Sequence, residues 1–231
     1  MLKKWADLPE FMRVPEVRPY YEALSKKKGQ KFLKRLSDVI VALILLIILL
    51  VPMLIIGLVV KVDSQGPVFY RQERVTKYGK RFRIHKFRTM VNDADKHGPT
   101  VTVSNDNRVT RVGKSLRDLR LDELPQLFDV LSGDMSFVGT RPEAVKYVEQ
   151  YKAEYLATLL LPAGITSEAS IRFKDEGKLL KAADDVDGVY INDILSKKMG
   201  YNLNSIKTFS FVADLITMVR TVFAVFGKNY Y

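Results

Sequence analysis

An adjacent pair of carboxylates, Asp122 and Glu123, is the part of the sequence best suited to chemistry. Basic residues crowd around the pair on both sides: Arg108, Arg111, Lys114, Arg117, Arg120 and Arg141. Carboxylates among guanidinium groups can hold a phosphate and a divalent cation together, because the arginines offset the phosphate charge and the carboxylates supply oxygen ligands. The same pair can instead cap a helix, with Asp122 as the N-cap and Glu123 in the first turn. The pattern leaves both interpretations open.

A short helix is predicted directly after the acidic pair. Pro125 falls in its first turn, and Gly133 is a suitable terminator. Two strands are predicted nearby, one around Phe82 and Ile84, which alternate with basic residues, and one over residues 135–138. The apolar residues of the helix follow the spacing i, i+3, i+4, i+7 of one helical face: Leu124, Leu127, Phe128 and Leu131.

The longest apolar segment, Val39–Val60, has 22 residues and no charge, which is the length of a membrane-spanning helix. Ten Lys or Arg residues lie in 1–38 and nine in 61–90, so the positive-inside rule favours the cytoplasm for both ends. Pro52 lacks an N–H and offers a point where a helix can break and return. We therefore predict a re-entrant helix hairpin broken at Pro52. An ordinary kinked span is the alternative, because membrane helices tolerate proline.

The composition restricts the classes of function. The chain has 231 residues, with 37 Lys and Arg against 26 Asp and Glu, and its formal charge of +11 indicates a polyanionic partner such as nucleic acid, an anionic membrane or phosphorylated substrates. The absence of cysteine excludes disulfides, thiolate zinc sites and cysteine nucleophiles. The sequence contains no GxxxxGK phosphate loop, no GxGxxG and no HExxH motif.

Histidines and Asp-x-Asp triplets are weaker candidates for chemistry. His85 and His97 are interpreted as surface or loop residues rather than catalysts, and two histidines cannot form a three-histidine metal site. The triplets Asp93–Asp95 and Asp185–Asp187 match a metal-binding pattern of nucleotide-sugar glycosyltransferases. Such triplets are expected by chance in a chain with this many aspartates, so they carry almost no weight.

We predict a mainly α-helical fold with a few short strands (α+β), in a monotopic membrane protein with interfacial amphipathic helices. Residues 1–30 are predicted to be an N-terminal interfacial arm and basic linker, with packing on the protein's own surface as the alternative. Residues 31–61 are the re-entrant helix hairpin, 62–204 a cytosolic catalytic domain, and 205–231 C-terminal amphipathic helices at the interface. Glu143–Leu160 is predicted to be helical.

Longer segments carry a resemblance to a known family: KRLSD at Lys34–Asp38, HKFRTM at His85–Met90, RVTRVG at Arg108–Gly113, LDELPQL at Leu121–Leu127 and GDMSFVGTRPE at Gly133–Glu143. In these segments and their spacing the chain resembles the bacterial sugar transferases known as small monotopic polyprenyl-phosphate phosphoglycosyl transferases. The resemblance extends over most of the chain, from about residue 34 to 226.

The resemblance implies a two-step transfer at the cytoplasmic face of the bacterial inner membrane. Asp122 would attack the β-phosphate of a UDP-sugar and expel UMP, and undecaprenyl phosphate would then accept the sugar phosphate. Glu123 would bind or orient Mg²⁺ together with Asp122. Contact with anionic lipids is implied, nucleic acid is not, and a homo-oligomer stays open. The resemblance assigns substrate phosphate binding to a set of basic residues: Arg117, Arg141, Lys86, Arg88 and Arg111.

Two other functions stay as alternatives, namely a membrane glycosyltransferase that releases UDP and a non-enzymatic basic protein anchored to the membrane.

The segment 163–170 reads AGITSEAS where the family usually has PGITGWAQ. This departure leaves the donor sugar open. Arg172 and Lys174 are polar residues close to that segment, and solvation at the surface is the preferred interpretation for both.

Overall fold

The computed structural model describes residues 2–94, 106–174, 177, 180, 185–225 and 227. His97 and Asp95 lie outside the described residues. Helices predominate and the strands are short, which confirms the predicted fold class. The helices are α1 (Arg18–Ser25), α2 (Lys28–Asp63), α3 (Arg111–Asp118), α4 (Gln126–Ser132), α5 (Val145–Val148), α6 (Glu168–Arg172), α7 (Val186–Val189), α8 (Ser196–Lys207) and α9 (Phe211–Val225).

The strands form two separate pairs. In the first, β1 (Phe69–Val75) runs antiparallel to β2 (Arg81–Phe87), and the predicted alternation around Phe82 is confirmed. In the second, β3 (Met135–Val138) runs parallel to β4 (Ala163–Thr166), so the predicted strand over 135–138 is also confirmed.

The parallel pairing of β3 and β4 brings the backbones of two glycines, Gly139 and Gly164, very close together. A Cβ atom added to Gly164 would lie 2.1 Å from the backbone nitrogen of Gly139. The Gly164 backbone N–H instead donates a hydrogen bond to the Thr140 carbonyl at 2.9 Å. Because the obstacle is backbone rather than a movable side chain, the close approach of these two segments requires glycine.

Helix α2 is 36 residues long and contains the apolar segment, with a mean hydropathy of 3.6 over its most apolar window. By length and composition it could cross a membrane. Helical structure continues through Pro52, so the predicted break there is not an interruption of the helix. Proline removes one backbone hydrogen bond, and the apolar residues on either side allow the helix to resume.

Both ends of α2 are held by the same folded body. Near the N-terminal end, the Lys34 ammonium donates to the Val138 carbonyl at 2.8 Å, and Asp38 accepts from the Phe137 backbone N–H at 3.2 Å. Beyond the C-terminal end, the Arg88 guanidinium donates to the Ser64 carbonyl at 2.6 Å. One face of α2 is therefore packed along its length. The opposite face exposes large apolar side chains: Ile40, Leu43, Ile44, Ile47, Ile48, Leu50, Val51, Leu54, Ile55, Leu58, Val59 and Val62.

Residues 2–30 pack on the rest of the protein, as the alternative prediction had it, and the predicted contact of this segment with the membrane interface stays a prediction. Met12, Val17 and Leu24 are fully buried in one apolar cluster with Leu160 and Ile206. The prolines and aromatics of this segment therefore complete a core, in agreement with the alternative prediction for residues 1–30.

The segment predicted as one helix, Glu143–Leu160, is divided in the structure. It forms α5 and then a 3₁₀ segment, Ala153–Leu160, with residues 149–152 between them. The buried apolar residues of the 3₁₀ segment pack against the N-terminal residues, so tertiary packing decides the local conformation. A π-helical segment, Tyr190–Leu195, leads into α8.

Candidate active site

The acidic pair lies in a short 3₁₀ turn, Leu121–Glu123, that precedes α4. Arg120 enters this turn in the left-handed region, with φ 57°, a conformation that side-chain-bearing residues rarely adopt. Both Asp122 and Glu123 are buried, at 7% and 9% exposure. The N-cap position of α4 belongs to Pro125, so the predicted capping role of Asp122 is wrong. Gly133 ends α4 in the left-handed region, as predicted.

Glu123 is held by two cations from distant parts of the chain. Its Oε1 atom accepts from Lys86 Nζ at 3.0 Å and from Arg141 Nη2 at 2.5 Å. Burial alone would raise the pKa of Glu123, but Arg141 and Lys86 outweigh burial and hold that pKa well below its usual range. The structure therefore brings together three of the residues that the sequence analysis named for the site.

Asp122 has a different environment from its neighbour. No hydrogen bond or ion pair of its carboxylate is present among the described residues. Burial raises the pKa of Asp122, the nearby charge of Lys86 opposes the rise, and the charge of Glu123 adds to it. A buried carboxylate that is close to cations but not bonded to them is available to react or to bind a ligand.

The three other predicted phosphate-binding residues are placed differently from one another. Arg117 lines the same cleft as Glu123, and its positive charge lowers the pKa of Asp122. Arg88 is buried, and its guanidinium donates to the carbonyls of Ser64 and Gln65 after α2. Its contacts therefore support a structural role instead of the predicted phosphate-binding role. Arg111 is exposed on the first turn of α3 and does not line the cleft.

The cleft beside the acidic pair has a volume of about 530 Å³, which is within the range of small-molecule sites. Its polar lining includes Glu123 and several cations: Arg117, Arg120, Arg141, Lys174 and Lys198. Its apolar lining comes from α2, α4, β3, β4 and α9: Leu45, Leu49, Leu127, Phe137, Ile165, Ala224 and Val225. The cleft is thus lined both by cations and by apolar residues of the longest helix.

Two lysines line the cleft although the sequence did not point to either of them. Lys174, interpreted as solvated, lines the cleft, whereas Arg172 is exposed and paired with Glu168 at 2.7 Å. Lys198 is only 3% exposed and lies 3.8 Å from the Glu143 carboxylate. No local motif marks Lys198, because α8 reaches the cleft only through tertiary packing.

His85 and the second Asp-x-Asp triplet have structural partners. The ring Nδ1 atom of His85 lies 2.6 Å from Asp129 Oδ1, so His85 is a strand residue bonded to α4 rather than a loop residue. Asp185 accepts from the Gly188 backbone N–H, and Asp187 accepts from Lys146 Nζ at 2.6 Å. Among the described residues no cluster of three or more metal-ligating side chains is present.

A buried carboxylate pair thus lies among cations, beside a cleft that is also lined by residues of the long apolar helix. The family model for bacterial sugar transferases matches residues 29–228, and the chain belongs to this family.

Curated relatives carry the names of specific transferases. One from Aeromonas hydrophila, named UDP-N-acetylgalactosamine-undecaprenyl-phosphate N-acetylgalactosaminephosphotransferase, is 37% identical over 86% of this chain and 45% of its own length. Two further relatives are named UDP-glucose:undecaprenyl-phosphate glucose-1-phosphate transferase. The protein from Escherichia coli K12 is 35% identical over 94% of this chain and 44% of its own length. The protein from Caulobacter vibrioides is 37% identical over 82% of this chain and 68% of its own length. The chain spans less than half the length of the Aeromonas and Escherichia proteins.

Proposed function

We propose that this protein transfers a sugar 1-phosphate from a UDP-sugar to undecaprenyl phosphate, with release of UMP, as the first membrane step of glycan assembly. The observation that carries the proposal is the mixed lining of the cleft. Its lining includes Glu123, the neighbour of Asp122, together with several cations, and also apolar residues of the two helices that expose large apolar side chains elsewhere. A soluble nucleotide and a lipid phosphate could reach the same reactive group there.

Asp122 is the proposed nucleophile. One carboxylate oxygen attacks the phosphorus atom that carries the sugar, a new P–O bond forms, and the bond to the α-phosphate breaks so that UMP leaves with that electron pair. A phosphate oxygen of the lipid then attacks the same phosphorus atom and releases the Asp122 carboxylate. The lack of a bonded partner on Asp122 among the described residues supports this role.

Glu123, Lys86 and Arg141 have a supporting role in this proposal. A carboxylate and a diphosphate repel each other, so cations must offset the repulsion and stabilise the charge that develops on UMP. The bonds from Glu123 to both cations fix their positions before substrate binds. Arg117, on the opposite side of the acidic pair in sequence, adds a further positive charge.

Mg²⁺ is a proposed cofactor, and the residues present fit it. Magnesium in proteins is commonly bound by one or two carboxylates together with substrate phosphates and water. Glu123 is already paired with two cations, so Asp122 is the more available oxygen ligand. When bound, the ion would neutralise diphosphate charge.

We further propose that α2 is re-entrant, with both ends on the cytoplasmic side of the inner membrane. The hydrogen bonds of Lys34 and Arg88 support this arrangement, because they join both ends of α2 to one folded body. A straight span would place one end on the other side of the membrane, away from that body.

The test is nucleotide release by the full chain purified in detergent, with Mg²⁺, undecaprenyl phosphate and a panel of UDP-sugars that includes UDP-glucose and UDP-N-acetylgalactosamine. We expect UMP with at least one donor and its loss in Asp122→Asn. Asp193→Asn, an exposed aspartate outside the cleft, is the matched control and should retain activity. Release of UDP instead would contradict the proposed reaction and the assignment of Asp122.

A further inference from the structure

Lys198 is a cation of the cleft wall that the reaction described above does not use. Its side chain is only 3% exposed, and lysine is almost never buried to this extent unless it has a partner. It nevertheless lines the cleft, as do Arg117, Arg120 and Arg141. Lys198 is therefore a buried cation of the cleft wall rather than a solvated surface lysine.

Two buried side chains hold the Lys198 ammonium in place. The ammonium donates a hydrogen bond to the Tyr190 hydroxyl at 3.2 Å, and this hydroxyl donates to Glu143 Oε1 at 2.8 Å. The ammonium also lies 3.8 Å from the same Glu143 oxygen. Because Glu143 and Tyr190 are themselves buried, the position of the ammonium is fixed before a substrate binds.

The backbone that carries Tyr190 has an unusual conformation. Tyr190 is the first residue of the π-helical segment Tyr190–Leu195, and Lys198 lies in the first turn of the helix that follows, α8. π-Helical turns are rare, and they occur frequently at functional sites. The segment therefore supports a functional role for the contact between Tyr190 and Lys198.

Glu143 has a second cation close to it. Burial lowers the pKa of Arg74, the nearby Glu143 carboxylate opposes this shift, and the charge of Arg141 adds to it. Arg74 and Lys198 thus share one carboxylate, and the group as a whole is positively charged. Of its three charged side chains, Lys198 is the one that lines the cleft. Such a group favours an anion over a neutral hydrogen-bond acceptor.

Two groups of cations are therefore neighbours in this part of the molecule. One surrounds Glu123 and includes Arg141, and the other surrounds Glu143 and includes Lys198. Arg141 and Glu143 are two residues apart in the chain, so the two groups are adjacent. A diphosphate likewise carries two adjacent anionic phosphates. With one phosphate at the acidic pair, the other matches the group that contains Lys198.

We propose that Lys198 binds the α-phosphate of the donor, the group that leaves as UMP, and that Tyr190 and Glu143 are positioning residues for it. This inference rests on the proposed function and assigns a residue to the leaving group. When Asp122 attacks the β-phosphorus, the bond from that phosphorus to the bridging oxygen breaks and its electron pair stays on UMP. The Lys198 N–H groups stabilise the charge that develops there, and no proton is transferred.

Binding of UMP compared with uridine tests the role of Lys198, because the two ligands differ only in the phosphate. Saturation-transfer NMR titrations use the full chain in detergent with Mg²⁺. Lys198→Met removes the ammonium and keeps an unbranched side chain. We expect it to weaken UMP binding about 10- to 100-fold, the effect of losing a hydrogen bond to a charged group, and to leave uridine binding unchanged.

Lys197→Met is the matched control for this comparison. Lys197 is the adjacent lysine of α8, is exposed and does not line the cleft, so this variant should bind both ligands as the wild-type protein does. If Lys198→Met binds UMP normally, or loses UMP and uridine binding equally, the proposal is wrong.

Tyr190→Phe tests the positioning role, because it removes the hydroxyl between Lys198 and Glu143 and keeps the ring. We expect UMP binding to weaken about 3- to 10-fold at unchanged uridine binding. Tyr20→Phe is the control, since the Tyr20 hydroxyl also donates to a glutamate, Glu154, at 2.5 Å but lies outside the cleft. An unchanged ratio of UMP to uridine affinity in Tyr190→Phe would refute the positioning role, whatever happens to its melting temperature.

A reactive probe for the unchanged protein covers the case in which a variant does not fold. In an acyl phosphate of UMP, the acyl group is bonded to the α-phosphate. A lysine Nζ beside that phosphate attacks the acyl carbon, an amide bond forms, and UMP leaves as the C–O bond breaks and the lysine loses a proton. We expect acylation of Lys198 that excess UMP suppresses. Absence of such an adduct on Lys198 would overturn the proposal.

Turnover by the wild-type protein separates this inference from the proposed function. If the wild-type protein releases no UMP from any UDP-sugar, the proposed function fails. If it releases UMP while Lys198→Met binds UMP as tightly as the wild-type protein, the proposed function stands and the assignment of Lys198 is wrong.

Discussion

Glu123 and Arg141 are joined by an ion pair of 2.5 Å between side chains that are mostly shielded from solvent. The Arg141 guanidinium also approaches the second carboxylate oxygen, at 3.5 Å from its Nη1 atom. The pair therefore holds a planar cation on the carboxylate of the residue next to Asp122, with Lys86 on the same carboxylate. Such an arrangement orients positive charge before a phosphate arrives.

Arg141→Lys should lower kcat/KM for the donor. Lysine keeps the charge but cannot present two N–H groups in a fixed plane, and the loss of one charge-assisted hydrogen bond corresponds to about 10- to 100-fold in rate. Steady-state UMP release measures the effect. Arg18→Lys is the control, because Arg18 also pairs with a glutamate, Glu22, but is exposed and outside the cleft. Equal kinetics for Arg141→Lys and wild type would contradict the role of the planar cation.

Asp122→Asn should abolish transfer and raise the melting temperature. The pKa of Asp122 lies above its ordinary value because the charged form is buried, so the folded protein is less stable when Asp122 is ionised. We therefore expect Asp122→Asn to melt at a higher temperature than the wild-type protein at pH 7.5.

The sign of this effect also fixes its pH dependence. Protonated Asp122 is more favourable to the folded protein than ionised Asp122. This stabilisation is lost as the pH rises from 3.8, the ordinary pKa of the carboxyl group, through the higher pKa that Asp122 has in the folded protein. The difference in melting temperature between wild type and Asp122→Asn should therefore be largest at neutral pH and should vanish towards pH 3.8. Scanning fluorimetry in detergent measures it, with Asp193→Asn as the control. A lower melting temperature for Asp122→Asn at pH 7.5 would refute the argument.

Arg88→Met should destabilise the protein without a specific effect on donor binding. Arg88 is 5% exposed and its guanidinium bonds to the carbonyls of Ser64 and Gln65, so the loss should cost about 2–4 kcal/mol. Thermal unfolding measures the loss, and Arg81→Met, at an exposed position on β2, is the matched control. An unchanged melting temperature with a raised donor KM would restore the phosphate-binding role.

Gly164→Ala should separate β3 from β4 and destabilise the fold by about 3 kcal/mol or more, because the new methyl group meets the Gly139 backbone. Gly200→Ala is the opposite case. Gly200 lies within α8 with open space around it, so the same substitution should stabilise by about 0.5–1 kcal/mol. Melting temperatures of both variants check the contrast. A stable Gly164→Ala variant would mean that the two strands can move apart.

The proposed re-entrant arrangement of α2 predicts a labelling pattern that the cysteine-free sequence makes easy to read. Single cysteines at Lys28 and Lys61, near the two ends of α2, should both react with an impermeant maleimide in inside-out vesicles and not in spheroplasts. Asp193→Cys, on the catalytic body, gives the reference pattern. If only one end of α2 matches that reference, the helix crosses the membrane.

Local sequence patterns were sufficient where the structure depends on neighbours in the chain. The alternation around Phe82 predicted β2, and Gly133 predicted the end of α4, because strand period and left-handed glycine are local properties. Arg141 was named from its position near the acidic pair in the sequence, whereas Lys86 became a candidate only through the family resemblance, since it lies on the separate strand β2.

Other features could not be predicted from local patterns. Lys86 and Arg88 belong to one basic segment of the sequence, but β2 ends at Phe87, between them. Lys86 therefore contacts Glu123, whereas Arg88 donates to a backbone carbonyl just after α2. Lys198 reaches the cleft through the packing of α8. The N-terminal sequence has the composition of a surface arm. Its burial becomes visible only in the folded structure, where Leu24 belongs to one apolar cluster with Ile206 near the other end of the chain.

The attachment of both ends of α2 to one body has a consequence for the product of the proposed reaction. If α2 is re-entrant as proposed, the protein contacts a single leaflet, and its lipid-linked product would stay in the leaflet that faces the aqueous nucleotide donor. Carrying a sugar diphosphate through hydrocarbon requires removing water from several charges, which is very unfavourable. A sugar destined for the other side of the membrane would then need a separate transport protein, and elongating enzymes that use nucleotide donors could meet the product before that step.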